Sequence, residues 1–464
     1  MITLFFLGTA LIVLYFLVYG LIKSLRLGNY RGAVICGLLL ITGTCTFYSK
    51  PLSVGLYYLL NLVQMAVGVY IAIYWFISIT QFKKQKARQS AKKSQALLPT
   101  VTVIIAVKNE AEVIESTIEQ LLKLDYDPGR LDILILDDHS TDGTPDRVRR
   151  LLHHAQVSLI SRQHGVIKGK PAAINDVMPQ ITSELICVFD ADSLPEPGFL
   201  RQAVKHFHQP DVALVQGRNI QYNETSTLIS RMVTFDIDVT HMSMYFPKSL
   251  MGVPFFEGRG AVFRRSAFVE LGGFDTDLPT EDWDLGFRFQ IAGYRLVYDL
   301  AAVNYEQATE TYAEYTKQRY RWLSTGLLTF AKNAKAVLFN PTFTLLRKGD
   351  FLYLPLYNLW ALVFNLIGFL CLASRVSGHG LPTNWFVGIF GTMVLTYTST
   401  AIINQRKWHY IAYLPLMFLY YWYFTVMITW IFIDHYIVRV KPVYQKATHY
   451  HNTLKQYTQP AQAV

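Results

Sequence analysis

Charge is scarce in this chain. Only 16% of its 464 residues are Asp, Glu, Lys or Arg, whereas 52% are hydrophobic and 14% aromatic. A water-soluble enzyme carries about 25% charged residues, so the deficit points to a chain with much of its length in lipid. Cysteine is nearly missing as well. Cys36, Cys45, Cys187 and Cys371 each lie in an apolar context without C-x-x-C spacing, which excludes a disulfide framework and a cysteine-based zinc site. No internal repeat or low-complexity tract breaks the sequence.

Long apolar runs supply what the charge deficit implies. Residues 2–22 contain no charge and are long enough to cross a bilayer. No basic stretch precedes them and no small-residue cleavage site follows, so a membrane segment is favoured over a signal peptide. Further runs cover residues 33–49 and 54–80. Lys23, Arg26 and Arg31 follow the first run, and Lys83, Lys84, Lys86, Arg88, Lys92 and Lys93 follow the third, while only Lys50 separates the second and third. By the positive-inside rule the chain beyond residue 82 is cytoplasmic. This basic cluster beside a membrane segment accounts for much of the net charge of +10 as a contact with membrane lipids. No nucleic-acid partner is implied.

Apolar segments return at 351–373, 385–404 and 409–436. Three crossings would leave the basic tail beginning "VRVKP" outside, so the last run reads either as a crossing or as a hairpin or interfacial segment broken near Pro415. The number of C-terminal crossings stays open. The expected organisation is N-terminal transmembrane helices over 1–82, a basic cytoplasmic linker at 83–97, a catalytic domain at 98–325, an interfacial segment at 326–350, C-terminal transmembrane helices at 351–437 and a polar tail at 438–464. The expected location is a multi-pass cell-membrane protein with its catalytic domain in the cytoplasm.

Residues 98–310 have a different texture. "TVTVIIAV", "LDILILDD", "ELICVFDAD" and "DVALVQGR" are β-branched runs of buried-strand length, with helix-length amphipathic stretches between the first three. Alternation of this kind predicts an α/β fold with a doubly wound, mostly parallel sheet. Ligands of such sheets bind at the carboxyl ends of the strands.

Acidic residues gather at those ends. Asp137 and Asp138 close one strand, Asp190 and Asp192 another, and Glu281, Asp282 and Asp284 open a helix in "PTEDWDLGFRF". A lone Asp-x-Asp is usually a turn or a cap. Three acidic clusters in one α/β domain fit a hard divalent cation held by carboxylate and substrate phosphates, and so a nucleotide diphosphate ligand. "GKPAAIN" adds Lys170, and "EGRG" has two glycines that allow close backbone approach to a ligand. In "KQRYRWLSTG", Gln318 and Arg321 share a helix face. Arg321 can clamp a phosphate and Trp322 can stack on a sugar, although an interfacial Arg-Trp belt has the same composition.

The ordered set of Asp138, Asp190 with Asp192, Thr280-Glu281-Asp282 and Gln318-x-x-Arg321-Trp322, flanked by membrane segments, resembles the membrane-integrated family 2 glycosyltransferases with a GT-A domain. That group includes cellulose, hyaluronan and poly-N-acetylglucosamine synthases. "AVKNEAEVI", "DDHSTDGTP" and "GRGAVFRRSAF" also resemble monoglucosyldiacylglycerol synthases. The resemblance implies that Asp138, with Lys108 and Asn109, contacts the uracil or ribose of a UDP-sugar donor. Lys170 and Asp190 would hold the nucleotide, Asp192 would bind Mg2+ or Mn2+, and Asp282 would be the base of an inverting transfer. Glu281, Gln318, Arg321 and Trp322 are the further substrate-binding candidates. The expected acceptor is a growing β-linked polysaccharide, with a lipid acceptor as the alternative. An accessory membrane subunit is neither named nor excluded. A scaffold that has lost catalysis would keep the same fold, and intact Asp192, Asp282 and Arg321 argue against it.

Overall fold

The computed structural model describes residues 15, 17–27, 29, 34, 50–91, 98–162, 169–250, 256–278, 280–352, 360–368, 370–371, 374, 378, 381 and 383–438. The chain divides into two compact units. Of the described residues, the larger takes in those at 80–315 and 331–350; the smaller takes in those up to 79, at 316–330 and at 351–438.

Continuous apolar runs give the larger unit its sheet. Its strands are β1 (Val101–Val107), β2 (Leu131–Asp137), β3 (Val157–Ser161), β4 (Leu185–Phe189), β5 (Leu194–Pro195), β6 (Val212–Gln221), β7 (Ala261–Arg264) and β8 (Arg295–Glu306), in spatial order β3-β2-β1-β4-β7-β6-β8-β5. β3, β2, β1 and β4 run parallel, as do β6 and β8. β7 opposes both β4 and β6, and β5 opposes β8. The sheet is therefore mixed, with parallel pairs in a narrow majority.

Alternate residues of each strand feed opposite faces. Val103, Ile105, Ile133, Ile135, Cys187 and Phe189 pack with the helices Ile114–Leu121 and Phe199–Val204. Ile104, Leu134, Leu136, Ile186 and Val188 pack with Lys170–Val177, Arg265–Glu270 and Glu281–Ile291. Burial on both faces is why these strands read as unbroken hydrophobic runs. It also sends the ends of β1, β2 and β4 to one edge of the sheet, at the same level: Val107 lies beside Asp137, and Ile105 beside Phe189. Cys187 and Cys371 are buried free thiols, while Cys36 and Cys45 lie outside the described residues.

The helix Lys50–Ala91 runs without a break through 42 residues. The first part of the expected linker at 83–97 is thus helical, and residues 92–97 fall outside the described set. Gln89, near the helix end, donates from Nε2 to the Tyr298 carbonyl at 2.9 Å and accepts from Leu300 N at 3.0 Å.

In the smaller unit the stretch Val54–Gln89, which begins there, and the stretch Trp408–His435 are the two among the described residues that are long and apolar enough to cross a membrane, by length and composition. Tyr58, Leu59, Leu62, Met65, Val69, Ile73 and Phe76 on the first are at least half exposed. The second is a single rod: a 3-10 turn at Trp408–Tyr413, α-helix at Leu414–Phe432 and a π-turn at Ile433–Ile437. The hairpin reading of this segment fails because Pro415 occupies the first turn of its helix, where no amide donor is needed. The apolar runs at 2–22 and 33–49 lie largely outside the described residues. The helix Tyr312–Leu338 is also continuous, so the expected boundary at 325 falls within it.

Gly217 sits at an irregularity in β6, where the register with β8 shifts. A Cβ there would lie 2.5 Å from a Phe199 ring atom, 2.7 Å from the Ala302 carbonyl and 2.9 Å from the Gly260 carbonyl. Two of those three obstacles are backbone. Gly217→Ala should cost about 1–3 kcal/mol by overpacking, read as a lower thermal midpoint of the full chain in detergent. Gly198→Ala, which meets nothing within 4 Å, should leave it unchanged; equal midpoints would show that the sheet yields at Gly217.

Candidate active site

The turn after β4 carries Asp190 and Asp192. Asp190 N donates to Ser193 Oγ at 3.1 Å, and Ser193 N returns to the Asp190 carbonyl at 3.1 Å, so the turn is closed on itself. The Asp190 side chain is 40% exposed. Its Oδ1 accepts from Lys170 Nζ at 2.5 Å, and the same ammonium donates to the Gly258 carbonyl at 2.9 Å. Lys170 opens the helix Lys170–Val177. It thereby joins the end of β4 to the "EGRG" loop.

That loop is crowded. Gly258 and Gly260 have φ of +72° and +57°, the left-handed region that glycine adopts without strain. A Cβ on Gly258 would stand 2.9 Å from Asp282 Oδ2, and one on Gly260 would stand 2.4 Å from Asn219 Oδ1. Side chains of this chain approach both glycines closely. Asp282 lies against Gly258, and its Oδ1 accepts from Trp283 N at 2.8 Å. Lys170, Asp190 and Asp282 are thus brought together around one loop.

The three acids of "TEDWD" part company at the helix start. Asp284 is fully buried, with its carboxylate held by Arg288 at 2.7 Å, Asn333 at 2.9 Å and Lys332 at 3.0 Å. It is a packing anchor. Glu281 and Asp282 stay partly exposed.

Arg259, from the same loop, pairs with both carboxylate oxygens of Glu306 at the end of β8, through Nη2 at 2.7 Å and through Nε, and approaches Asp190 at 3.9 Å. Glu257 accepts from Asn219 Nδ2 at 2.9 Å and lies 3.2 Å from His241 Nε2. Burial pushes the Glu257 carboxyl up, but His241, Arg259 and Asn219 outweigh it and hold the group below its usual range. Glu306 goes the other way. Burial raises it, Arg259 opposes this, and the negative charges of Asp192 and Glu257 push it further up. Asp192 Oδ2 accepts from Gln307 N at 3.3 Å, which sets this carboxylate beside Glu306. None of Glu257, Arg259 or Glu306 was foreseen as a site residue; only the glycines of "EGRG" carried a signal.

Two carboxyls that repel each other are what a divalent cation relieves. Among the described residues, however, no three His, Cys, Asp or Glu side chains converge to hold a metal alone. The donor set fits a hard cation only if phosphate and water complete the shell, the usual arrangement for Mg2+.

The nucleotide-side candidates form a second cluster. Asp138 follows β2 and accepts from Arg162 at 2.7 Å, Gly169 N at 2.7 Å and His139 Nδ1 at 3.0 Å. Burial raises this carboxyl, yet those donors pull it below its ordinary value. Asn109, at φ +56°, accepts through Oδ1 from Thr141 N at 2.8 Å, and its own N–H donates to Ser140 Oγ at 2.9 Å. Glu110 N donates to Thr144 Oγ1 at 2.8 Å. These bonds zip the loop holding Lys108 and Asn109 to the loop after β2. Arg162, which also pairs with Asp176 at 2.5 Å, escaped sequence reading because it follows an inconspicuous strand.

Gln318, Arg321 and Trp322 lie on the helix Tyr312–Leu338, in the smaller unit. One ring face of Trp322 carries the Arg319 guanidinium, 4.8 Å from the centroid. The Arg321 carbonyl accepts from Ser324 Oγ at 3.1 Å and Thr325 Oγ1 at 2.9 Å.

Residues 99–325 match the family model described as "Glycosyltransferase like family 2". The chain carries a glycosyltransferase family 2 domain. This domain includes every candidate named above. The chain is 27% identical over 265 residues to poly-beta-1,6-N-acetyl-D-glucosamine synthase of Staphylococcus aureus, covering 56% of this chain and 63% of that protein. It is 29% identical over 244 residues to beta-monoglucosyldiacylglycerol synthase of a Nostoc species, covering 52% of each. The chain therefore spans half to under two thirds of the length of these relatives. The mannosyltransferase PcManGT from Pyrobaculum calidifontis, solved with GDP-Man and Mn2+, aligns with a TM-score of 0.50 at 22% identity over 74% of this chain and 98% of that one. That likeness concerns the fold, and the sheet is of the GT-A type.

The depressed Asp138 makes a pH prediction. A carboxyl held below its unfolded pKa of about 3.9 stabilises the fold above that value, and the contribution is lost as pH falls through the folded pKa. Arg162→Met removes one of the depressing partners. Between pH 3 and 6 the acid limb of thermal stability should move to higher pH in that variant; superimposable limbs would separate Asp138 from Arg162.

Proposed function

We propose that this protein is a membrane-bound inverting glycosyltransferase that moves a sugar from a UDP-sugar to a growing β-linked polysaccharide at the cytoplasmic face. The observation that carries the reading is the meeting of Asp190, Lys170 and Asp282 around Gly258, in a chain that is similar to a polysaccharide synthase over 265 residues. The similarity to a synthase of a β-linked glycolipid supports the second reading, transfer of one hexose to a lipid. Membrane attachment rests on the apolar, largely exposed stretch Val54–Gln89 and on Trp408–His435.

In this reading Asp138, Lys108 and Asn109 meet the nucleoside, and Lys170 with Asp190 orients the diphosphate. Asp192 is the proposed protein ligand of Mg2+ or Mn2+, beside Glu306; a bound cation supplies positive charge for the oxygens of the departing diphosphate. Asp282 takes the proton from the acceptor hydroxyl. The acceptor oxygen then bonds to the anomeric carbon as that carbon's bond to the UDP oxygen breaks, and UDP leaves with the bonding electrons. One displacement turns an α-linked donor into a β-linked product. A single carboxylate beside the acceptor suffices for this proton transfer. In the same reading Arg321 meets the charge that builds on the leaving group.

Asp282→Asn keeps the shape and removes the base. In lipid nanodiscs with Mn2+ it should lose roughly 100-fold or more of the transfer rate while UDP affinity stays within about twofold. Transfer at the wild-type rate would take Asp282 out of its role. Asp192→Ala should abolish the dependence of UDP affinity on Mn2+, and an unchanged metal dependence would locate the cation elsewhere. Supplying radiolabelled UDP-sugars to the wild type separates the two acceptors: label in a large water-soluble product marks a polysaccharide synthase, and label extracted into chloroform marks a glycolipid synthase.

A further inference from the structure

The helix with Gln318, Arg321 and Trp322 has a polar anchorage that the motif does not record. Tyr320, in the middle of it, donates from its hydroxyl to Asp434 Oδ2 at 3.0 Å. Asp434 lies near the end of the apolar rod Trp408–His435, and its side chain is only 4% exposed. Its other oxygen accepts from Lys23 Nζ at 2.5 Å and from Tyr19 Oη at 3.4 Å, and Lys23 also donates to Tyr19 Oη at 2.6 Å. The Tyr320 ring packs on Trp430 and His435, with centroids 5.1 Å and 5.2 Å away. One turn earlier, Thr316 Oγ1 shares a 3.1 Å hydrogen bond with Tyr423 Oη. Three separate stretches of sequence are thus tied at one carboxylate.

A buried carboxylate at the end of an apolar helix is costly unless paired. Here one anion meets one cation and two hydroxyls, so the cluster is neutral and directional. Its backbone setting is unusual too. Asp434 sits on the π-turn Ile433–Ile437, a widened helical turn common at functional sites. Asn29 Nδ2 donates to the Ile437 and Val438 carbonyls, at 2.9 Å each, and so closes the end of that turn. The rod is fixed in rotation, and with it the direction from which Asp434 meets Tyr320.

We infer that Asp434, clamped by Lys23 and reaching Tyr320, is a positioning residue that sets the rotation of the motif helix and hence the aim of Arg321 and Trp322. The inference rests on the glycosyltransferase reading above. A helix turned by one residue's worth of error points Arg321 away from its ligand, and misplacement by about 1 Å costs on the order of 100-fold in rate. Donor binding, which that reading gives to Asp138, Lys170 and Asp190, does not depend on this clasp.

Four variants in lipid nanodiscs test it. Tyr320→Phe keeps the ring packing and deletes the hydroxyl; Asp434→Leu deletes the acceptor; Asp434→Asn keeps an acceptor for Tyr320 without the charge; Arg321→Ala is the reference. The expected result is a fall in kcat of roughly 10- to 100-fold for Tyr320→Phe and Asp434→Leu, with the donor KM within about twofold and the thermal midpoint of Tyr320→Phe unchanged. Asp434→Asn should recover most of the rate. The inference is overturned if Tyr320→Phe keeps the wild-type kcat, or if Asp434→Asn is as impaired as Asp434→Leu. Wild-type transfer by Arg321→Ala would instead remove the motif from the reaction, and the functional reading would fall with the inference.

Discussion

Crowding of like charge at the strand ends governs this molecule. Asp190, Asp192, Glu257 and Glu306 are carried by β4, by the loop before β7 and by β8, and an α/β sheet delivers them to one place whatever their mutual repulsion. Lys170 offsets that repulsion at the most informative point. Its ammonium spans Asp190 and the Gly258 carbonyl, so one cation both neutralises a strand-end carboxylate and holds down the loop on which Asp282 rests. Arg259 repeats the device one step deeper, with Glu306. The ion pairs that balance charge at these strand ends are also what tie the loops around Gly258 together.

Much of this was legible in the sequence, for a physical reason. β1, β2, β4 and β6 are buried on both faces and so appear as uninterrupted β-branched runs, and the acids that end β2 and β4 stand out against them. β3, β7 and β8 were not visible in the same way. "VSLIS" and "AVFR" are short, and β8 carries Asp299 and Glu306 in its interior and at its end, which breaks the apolar signal. Those acids are tolerated because their partners arrive from far along the chain: His206 at 2.6 Å for Asp299, and Arg259 for Glu306. No local pattern encodes a pairing across 93 or 47 residues. The same limit hid the difference between Asp282 and Asp284. They are two residues apart and chemically identical, and only Arg288, Lys332 and Asn333 decide that Asp284 is structural.

The motif helix shows the complementary situation. Its Gln-x-x-Arg-Trp spacing was readable because it is local and helical. The residues between the motif positions were silent in sequence, yet Arg319 covers one face of Trp322 and Tyr320 reaches Asp434. One face of this indole is thus taken by a neighbour on its own helix. The membrane-length segments divide likewise. Composition marked six apolar runs. Among the described residues Val54–Gln89 and Trp408–His435 alone are long and apolar enough to cross a membrane, and the expected crossing at 385–404 is not one of them. The continuity of the rod past Pro415 follows from where a proline falls within a turn.

The glycines of the "EGRG" loop bear on how mutational tolerance in this protein is to be interpreted. Saturation mutagenesis at Gly258 and Gly260 would show near-total intolerance, a profile commonly taken as the footprint of a bound substrate. Here the space that a new side chain would need is already filled by Asp282 and Asn219. Selection at these codons would therefore report backbone conformation and the seats of Asp282 and Asn219, so a fitness map of the domain would mark at Gly258 the support of the proposed base and not a surface that itself touches ligand.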